Sequence, residues 1–348
     1  MLLEGMYLPL TTPFYTDGRL NARKLEYNVD RYSRTPAAGF TVLGAQLGEA
    51  TLLTDEETRE ALRAAVGAAA VEKVMLAGVS RDSVRATLEL AELAAELRYD
   101  AVLVGMPSVL VQQQRKEILV YFQTVADRSP LPVVLESGRG SRRIPLDAVA
   151  ELAGHPQIIG LVDGGLVDRE GAGIAEMRAR TAGVRREVTV TAVFAALTGR
   201  MIGAAAKADS GLVSAEMLSG AAVVATPAVK AVRTRTKAVG FQVLVGDTSN
   251  LLDGLRAGAG GIVPGFAACA PQACHEVYAA WKDGDEGLAE EKQARLLAAA
   301  GAVEASVGAT KFGCDLNGYF GGWPRLPHLP QSGEERAEIE RLMKGLRS

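Results

Sequence analysis

Aromatic residues make up only 5% of the 348-residue chain. That leaves no aromatic binding platform, and the abundance of Ala and Gly favours tight helix packing instead. Basic charge is also lacking. Lys and Arg do not outnumber Asp and Glu, the net charge is −3, and no basic patch is dense enough to suggest a nucleic-acid partner. The run Arg233, Arg235, Lys237 is short and reads as a solvated helix face. Cysteine is scarce: Cys269, Cys274 and Cys314 show no CxxC spacing, and an odd count fits reduced, structural thiols in a cytoplasm. The three histidines, His155, His275 and His328, lack metal-ligand spacing. No apolar run approaches the ~20 residues that span a bilayer. The start, M-L-L-E-G-M-Y-L-P-L, has no basic region ahead of its apolar residues and carries Glu4, so it does not read as a signal peptide. A cytoplasmic chain with neither nucleic-acid nor membrane partners is expected.

What the sequence does have is hydrophobic rhythm. Apolar residues are 48% of the chain. Short apolar runs at Met6–Thr12, Phe40–Gly44, Val74–Val79, Ala101–Gly105, Pro132–Glu136, Ile158–Val162, Gln242–Val245 and Gly261–Val263 read as strands. Helical patterns fall between them, among them Leu20–Arg34, Thr54–Val71, Ser83–Leu97, Lys116–Asp127 and Leu146–Ala153. Thr54 is a plausible N-cap, with Glu57 as its capping-box partner. Continuous apolar strands alternating with helices predict a parallel sheet, and eight such units predict a closed (β/α)8 barrel, an α/β fold. No G-x-G-x-x-G follows the first strand, so a dinucleotide site is not indicated. The barrel is expected over residues 1–283, interrupted between strands six and seven by a mostly helical insertion at about 168–240. A helical extension follows over 284–348.

Several stretches resemble, in one order, the dihydrodipicolinate synthase and N-acetylneuraminate lyase family. They are P-L-T-T-P-F-Y-T-D-G-R-L-N (9–21), L-G-E-A-T-L-L-T-D-E-E (47–57), L-P-V-V-L (131–135), H-P-Q-I-I-G-L (155–161), V-G-D-T-S (245–249), G-A-G-G-I-V (258–263) and R-L-P-H-L-P (325–330). The resemblance covers nearly the whole chain outside the insertion. It implies a class I aldolase-type lyase in which a lysine ending strand six forms an imine with a 2-oxo acid, while a strand-five tyrosine and a hydroxyl after strand two relay protons. It also implies a small carboxylic-acid ligand and a homo-oligomer, dimer or tetramer.

The sequence departs from that pattern where the chemistry is carried. Val162 occupies the lysine position, and Glu136 that of the strand-five tyrosine. Leu47 stands in A-Q-L-G-E where the relay hydroxyl belongs, and Ser108 and Val109 replace the tyrosine after strand four. On the resemblance, the substrate is expected against Thr12, Gln46, Leu47 and Val162, with Ile262 across the mouth and Arg139 or Arg142 clamping its carboxylate. Lys207 and Lys230 are the lysines that could substitute, although both read as helix-surface residues. Lys311 is expected away from the mouth.

Acidic residues remain at the strand ends: Glu136, Asp163 and Asp247. They could act as acid and base, or hold a divalent cation such as Mg²⁺. They could equally pair with Arg139, Arg142 or Arg143. No other cofactor is expected. Two functions stay open. One is a lyase or hydro-lyase for a small oxo- or hydroxy-acid that works without the imine, with Glu136 as its acid/base. The other is a catalytically silent member that binds a small anion or serves as a structural partner.

Overall fold

Runs such as Val74–Gly78 and Val133–Ser137 are buried along their whole length, as strands covered on both faces must be. The computed structural model describes residues 1–45, 47–165, 172–209 and 232–346. Parallel strands close a barrel in the order β1 (Gly5–Pro9), β2 (Gly39–Val42), β3 (Val74–Gly78), β4 (Ala101–Gly105), β5 (Val133–Ser137), β6 (Ile158–Asp163), β9 (Gln242–Val245) and β10 (Gly261–Ile262), which returns to β1. The expected (β/α)8 barrel is therefore the observed one.

Alternation along the strands sorts the core into two layers. Tyr7, Leu76, Leu103, Val134, Val162 and Leu244 fill the barrel interior. Leu8, Val102, Leu135, Leu161 and Val243 face the surrounding helices. Those helices are α1 (Ala22–Ser33), α2 (Asp55–Ala68), α3 (Val84–Glu96), α4 (Arg115–Arg128), α5 (Leu146–Leu152), α6 (Ala172–Arg180), α8 (Leu251–Arg256) and α9 (Pro271–Lys282). The capping box forms as the sequence indicates. Thr54 Oγ accepts from the Glu57 amide, and Glu57 Oε2 accepts from the Thr54 amide. The extension consists of α10 (Glu286–Val303), α11 (Val307–Leu316) and α12 (Gly333–Leu342).

Between α6 and β9 the chain adds β7 (Arg186–Thr191), α7 (Gly199–Asp209) and β8 (Thr234–Val239). β7 and β8 form an antiparallel ribbon. This corrects the reading of Arg233, Arg235 and Lys237 as a helix face. Their spacing of two is the period of a strand, and Arg235 and Lys237 lie within β8. Lys237 pairs with Glu4, and the Arg235 guanidinium lies over the Phe194 ring.

The described part of the insertion sits at the N-terminal ends of the strands, opposite the mouth. Val188 and Val190 pack on Leu2. Arg186 donates to the Ala153 and His155 carbonyls, which precede β6. Thr198 Oγ donates to Val71 O, and Arg200 to the Ala69 and Lys73 carbonyls, ahead of β3. The Gly199 amide donates to Asp100, just before β4. Lys207 belongs to α7, on this far side. Its side chain, and Lys230 entirely, lie outside the described residues.

Candidate functional site

At the C-terminal end of β5, Glu136 takes an inward position one turn of the pleat above Val134. Its register partners are Gly105 on β4 and Val162 on β6. The carboxyl is only 7% exposed. Its Oε1 accepts from the Ala45 amide at 2.8 Å. Burial pushes its pKa up to about 7, against the pull of that amide and of the Arg142 charge.

Two glycines make room for it. A methyl on Gly44 would lie 3.1 Å from Glu136 Oε1 and 3.3 Å from Thr41 Oγ1, so both oxygens converge on the Gly44 backbone. On the other side, Gly105 brings its own backbone close to the Glu136 Cβ and to Ser80, whose Oγ accepts from the Gly105 amide at 2.8 Å. Val162, 3% exposed, completes this lining as an apolar wall. The result is a buried carboxyl with hydroxyls nearby and an apolar neighbour in Val162.

The other expected residues are distributed differently. Asp163 follows Val162, so alternation turns it to the outward layer with Leu161, where its Oδ1 accepts from the Gly165 amide. Asp247 pairs with Arg139 at 2.6 Å and caps the turn at 248–250 by accepting from the Ser249 amide and from Asn250 Nδ2. Among the described residues no three His, Cys, Asp or Glu are placed to hold a metal. Glu136, Asp163 and Asp247 are thus not brought together as a ligand set. Arg139 is 69% exposed, is engaged by Asp247 and also donates to Gly164 O. Arg142, exposed in the short turn Gly140–Arg142, is the arginine whose charge reaches Glu136.

Ile262 faces the helix layer, and Val263 takes the inner place. Leu47 also packs in the helix-side layer. The Thr12 hydroxyl donates to Gly48 O at 2.7 Å, so it braces the turn after β2. Gln46 lies outside the described residues. Thr41 and Ser80 escaped the sequence reading. Strand parity on β2 would have pointed to Thr41, which lies between Phe40 and Val42, both facing the helices.

Lys311 corrects its expected place. It rides on α11, yet its ammonium is buried against the loops after β1 and β2. It pairs with Glu49, donates to Thr12 O at 2.7 Å and to Trp323 O at 2.9 Å, and lies over the Phe14 ring. An amine bound on all sides in this way is a brace and not a nucleophile.

The dihydrodipicolinate synthetase family model matches residues 2–169 and 221–346. The chain belongs to this family. The stretch between the two matched ranges falls in the insertion. Relatives of the family chain include the 4-hydroxy-tetrahydrodipicolinate synthase of Acidiphilium cryptum, 25% identical over 349 residues that cover 99% of both proteins. They also include the L-threo-3-deoxy-hexylosonate aldolase of Hypocrea jecorina, 26% identical over 353 residues, covering 99% of this chain and 95% of that one. Among solved structures, the fold is similar to YagE of E. coli, a prophage protein of the dihydrodipicolinic acid synthase family in complex with pyruvate. That match has a TM-score of 0.76 at 22% identity and covers 99% of each chain. N-acetylneuraminate lyase from Mycoplasma synoviae matches with a TM-score of 0.73 at 16% identity, over 99% of this chain and 98% of the other. The fold is thus that of a lyase and aldolase family.

Proposed function

We propose that this protein is a lyase or hydro-lyase acting on a small oxo- or hydroxy-carboxylic acid without a lysine imine, and that Glu136 is its general acid and base. The desolvated Glu136 carboxyl, poised at about 7 beside Val162, carries this reading. A group with that pKa exchanges protons in both directions near neutrality. Ionised, it removes a proton from the carbon next to the substrate's carbonyl or carboxylate. The released pair forms the double bond as the adjacent C–O bond breaks. The departing hydroxide takes the proton back from Glu136 and leaves as water, which regenerates the carboxylate.

Arg142 is the better carboxylate clamp, because Arg139 is already paired with Asp247. The ligand class draws support from the synthase and aldolase names of the relatives and from pyruvate in YagE. Homo-oligomerisation, which is part of the same resemblance, is proposed with it.

The test is a panel of short 2-oxo, 2-hydroxy and 3-hydroxy acids followed by proton NMR. Turnover should fall by at least ~100-fold in Glu136→Gln. Intact mass after incubation with pyruvate and borohydride should show no adduct, and an adduct would refute the imine-free mechanism. Saturable binding of a panel acid with no turnover would leave the silent anion-binder as the correct reading.

A further inference from the structure

The hydrogen bond that holds Glu136 comes from a turn whose other end is held by the C-terminal extension. After β2, the Gly48 amide donates to Gly44 O at 3.0 Å. The Ala45 amide at the near end of that turn donates to Glu136. At its far end, Glu49 is in the left-handed region with φ 47°, a conformation a non-glycine residue keeps only when its surroundings impose it. The extension supplies that constraint. Lys311 from α11 pairs with one Glu49 oxygen, and the Arg325 amide donates to the other at 3.2 Å. Lys311 also donates to Thr12 O, and the Thr12 hydroxyl in turn donates to Gly48 O. Lys311, Glu49 and Thr12 are nearly or fully buried, so the ties operate away from solvent screening.

We propose that Lys311 is the positioning residue for Glu136. Through Glu49 and Thr12 it fixes the turn whose Ala45 amide points at the Glu136 carboxylate. The extension therefore sets the proton affinity of an acid that it does not touch. This rests on Glu136 as the acid/base of the site, but its test needs no substrate, so it can fail or succeed independently of that reading. The charged group acting on Glu136 is Arg142, on a different loop, and Val162 and Gly105 beside it carry no charge.

The experiment follows the Glu136 side-chain carboxyl by ¹³C NMR across pH, with Glu136→Gln identifying the resonance. In the double variant Lys311→Met, Glu49→Gln, no buried charge is left unpaired, so the fold should persist. The loosened turn withdraws its amide from the anion, and the titration midpoint should rise by about one unit from its wild-type place. Lys311→Arg, which keeps the charge, should move it less. Thr12→Val cuts the second tie alone and should shift the midpoint in the same direction by a smaller amount, which keeps the idea testable if the double variant does not fold. A folded double variant with an unmoved midpoint overturns the proposal. So does a Thr12→Val midpoint that stays put when the double variant is unfolded.

Discussion

Glu136 and Val162 stand opposite each other on β5 and β6, and both side chains turn into the barrel. An acid poised near 7 therefore has an apolar neighbour, at the position where the family resemblance leads one to expect a lysine. Placing a lysine there should change both groups. In Val162→Lys, the ammonium should pull the Glu136 pKa below 7 while burial and the new pair tune the amine. Incubation with pyruvate and borohydride should then give a trapped adduct by mass, whereas wild type gives none. A Val162→Lys protein that stays folded and unlabelled would show that the mouth no longer accepts a 2-oxo acid.

Glu136 also leaves a signature in stability. Its folded pKa of about 7 lies above the ordinary value of 4.5, so the folded state binds the proton more tightly. Stability must then fall as pH rises from about 4.5 to about 7, and level off above that. Glu136→Gln removes the penalty. Denaturant melts should show the variant gaining on wild type by about 3 kcal/mol between pH 4.5 and pH 8. A constant difference across pH would mean that the carboxyl is not desolvated.

Arg139 and Arg142 should separate cleanly. Arg139→Ala removes the exposed partner of a buried carboxylate, which keeps its bonds from the Ser249 amide and Asn250, so the variant should lose stability. Its effect on ligand affinity should be small. Arg142→Ala removes the cation that acts on Glu136, so the Glu136 midpoint should rise, and calorimetric affinity for a small carboxylate should drop by about tenfold or more. The reverse ranking would make Arg139 the clamp.

On the outer side of the mouth, Arg325 forks onto both oxygens of Glu57, at 2.5 and 2.7 Å, and holds that carboxyl down at about 2. A lowered folded pKa stabilises above the unfolded value of about 4.5 and stops doing so as pH falls through about 2. Glu57→Gln should therefore lower the thermal midpoint at pH 6, and the deficit should shrink toward pH 2. Gln at this position can still accept from the Thr54 amide, so the capping box is kept and the deficit should nearly vanish at low pH.

The strands were legible because burial on both faces writes itself as unbroken apolar runs, and the Thr54–Glu57 box because it is a local pattern. Glu136 and Val162 could be singled out because stretches resembling the family flank both, and the structure makes them register partners. Which way a side chain faces was harder to read. Asp163 and Ile262 were expected at the mouth from their motifs, but each sits one residue from the inward neighbour, Val162 or Val263, and a single step along a strand reverses the face. Lys311 was hidden by distance. Nothing near it in sequence signals that it meets Glu49 and Thr12, contacts that span most of the chain. The ribbon strand β8 was masked by its charges, which suggested a solvated helix although their spacing is that of a strand.

The ribbon and α7 are laid across the end of the barrel away from Glu136. Alterations to these elements can proceed without disturbing the geometry of the mouth, because the barrel stands between them. The Glu136 carboxyl and the ribbon thus lie at opposite ends of the barrel. A label or fused domain joined at the Thr191–Ala196 turn should report on, or tether, the protein while the acid at the opposite end goes on titrating unchanged.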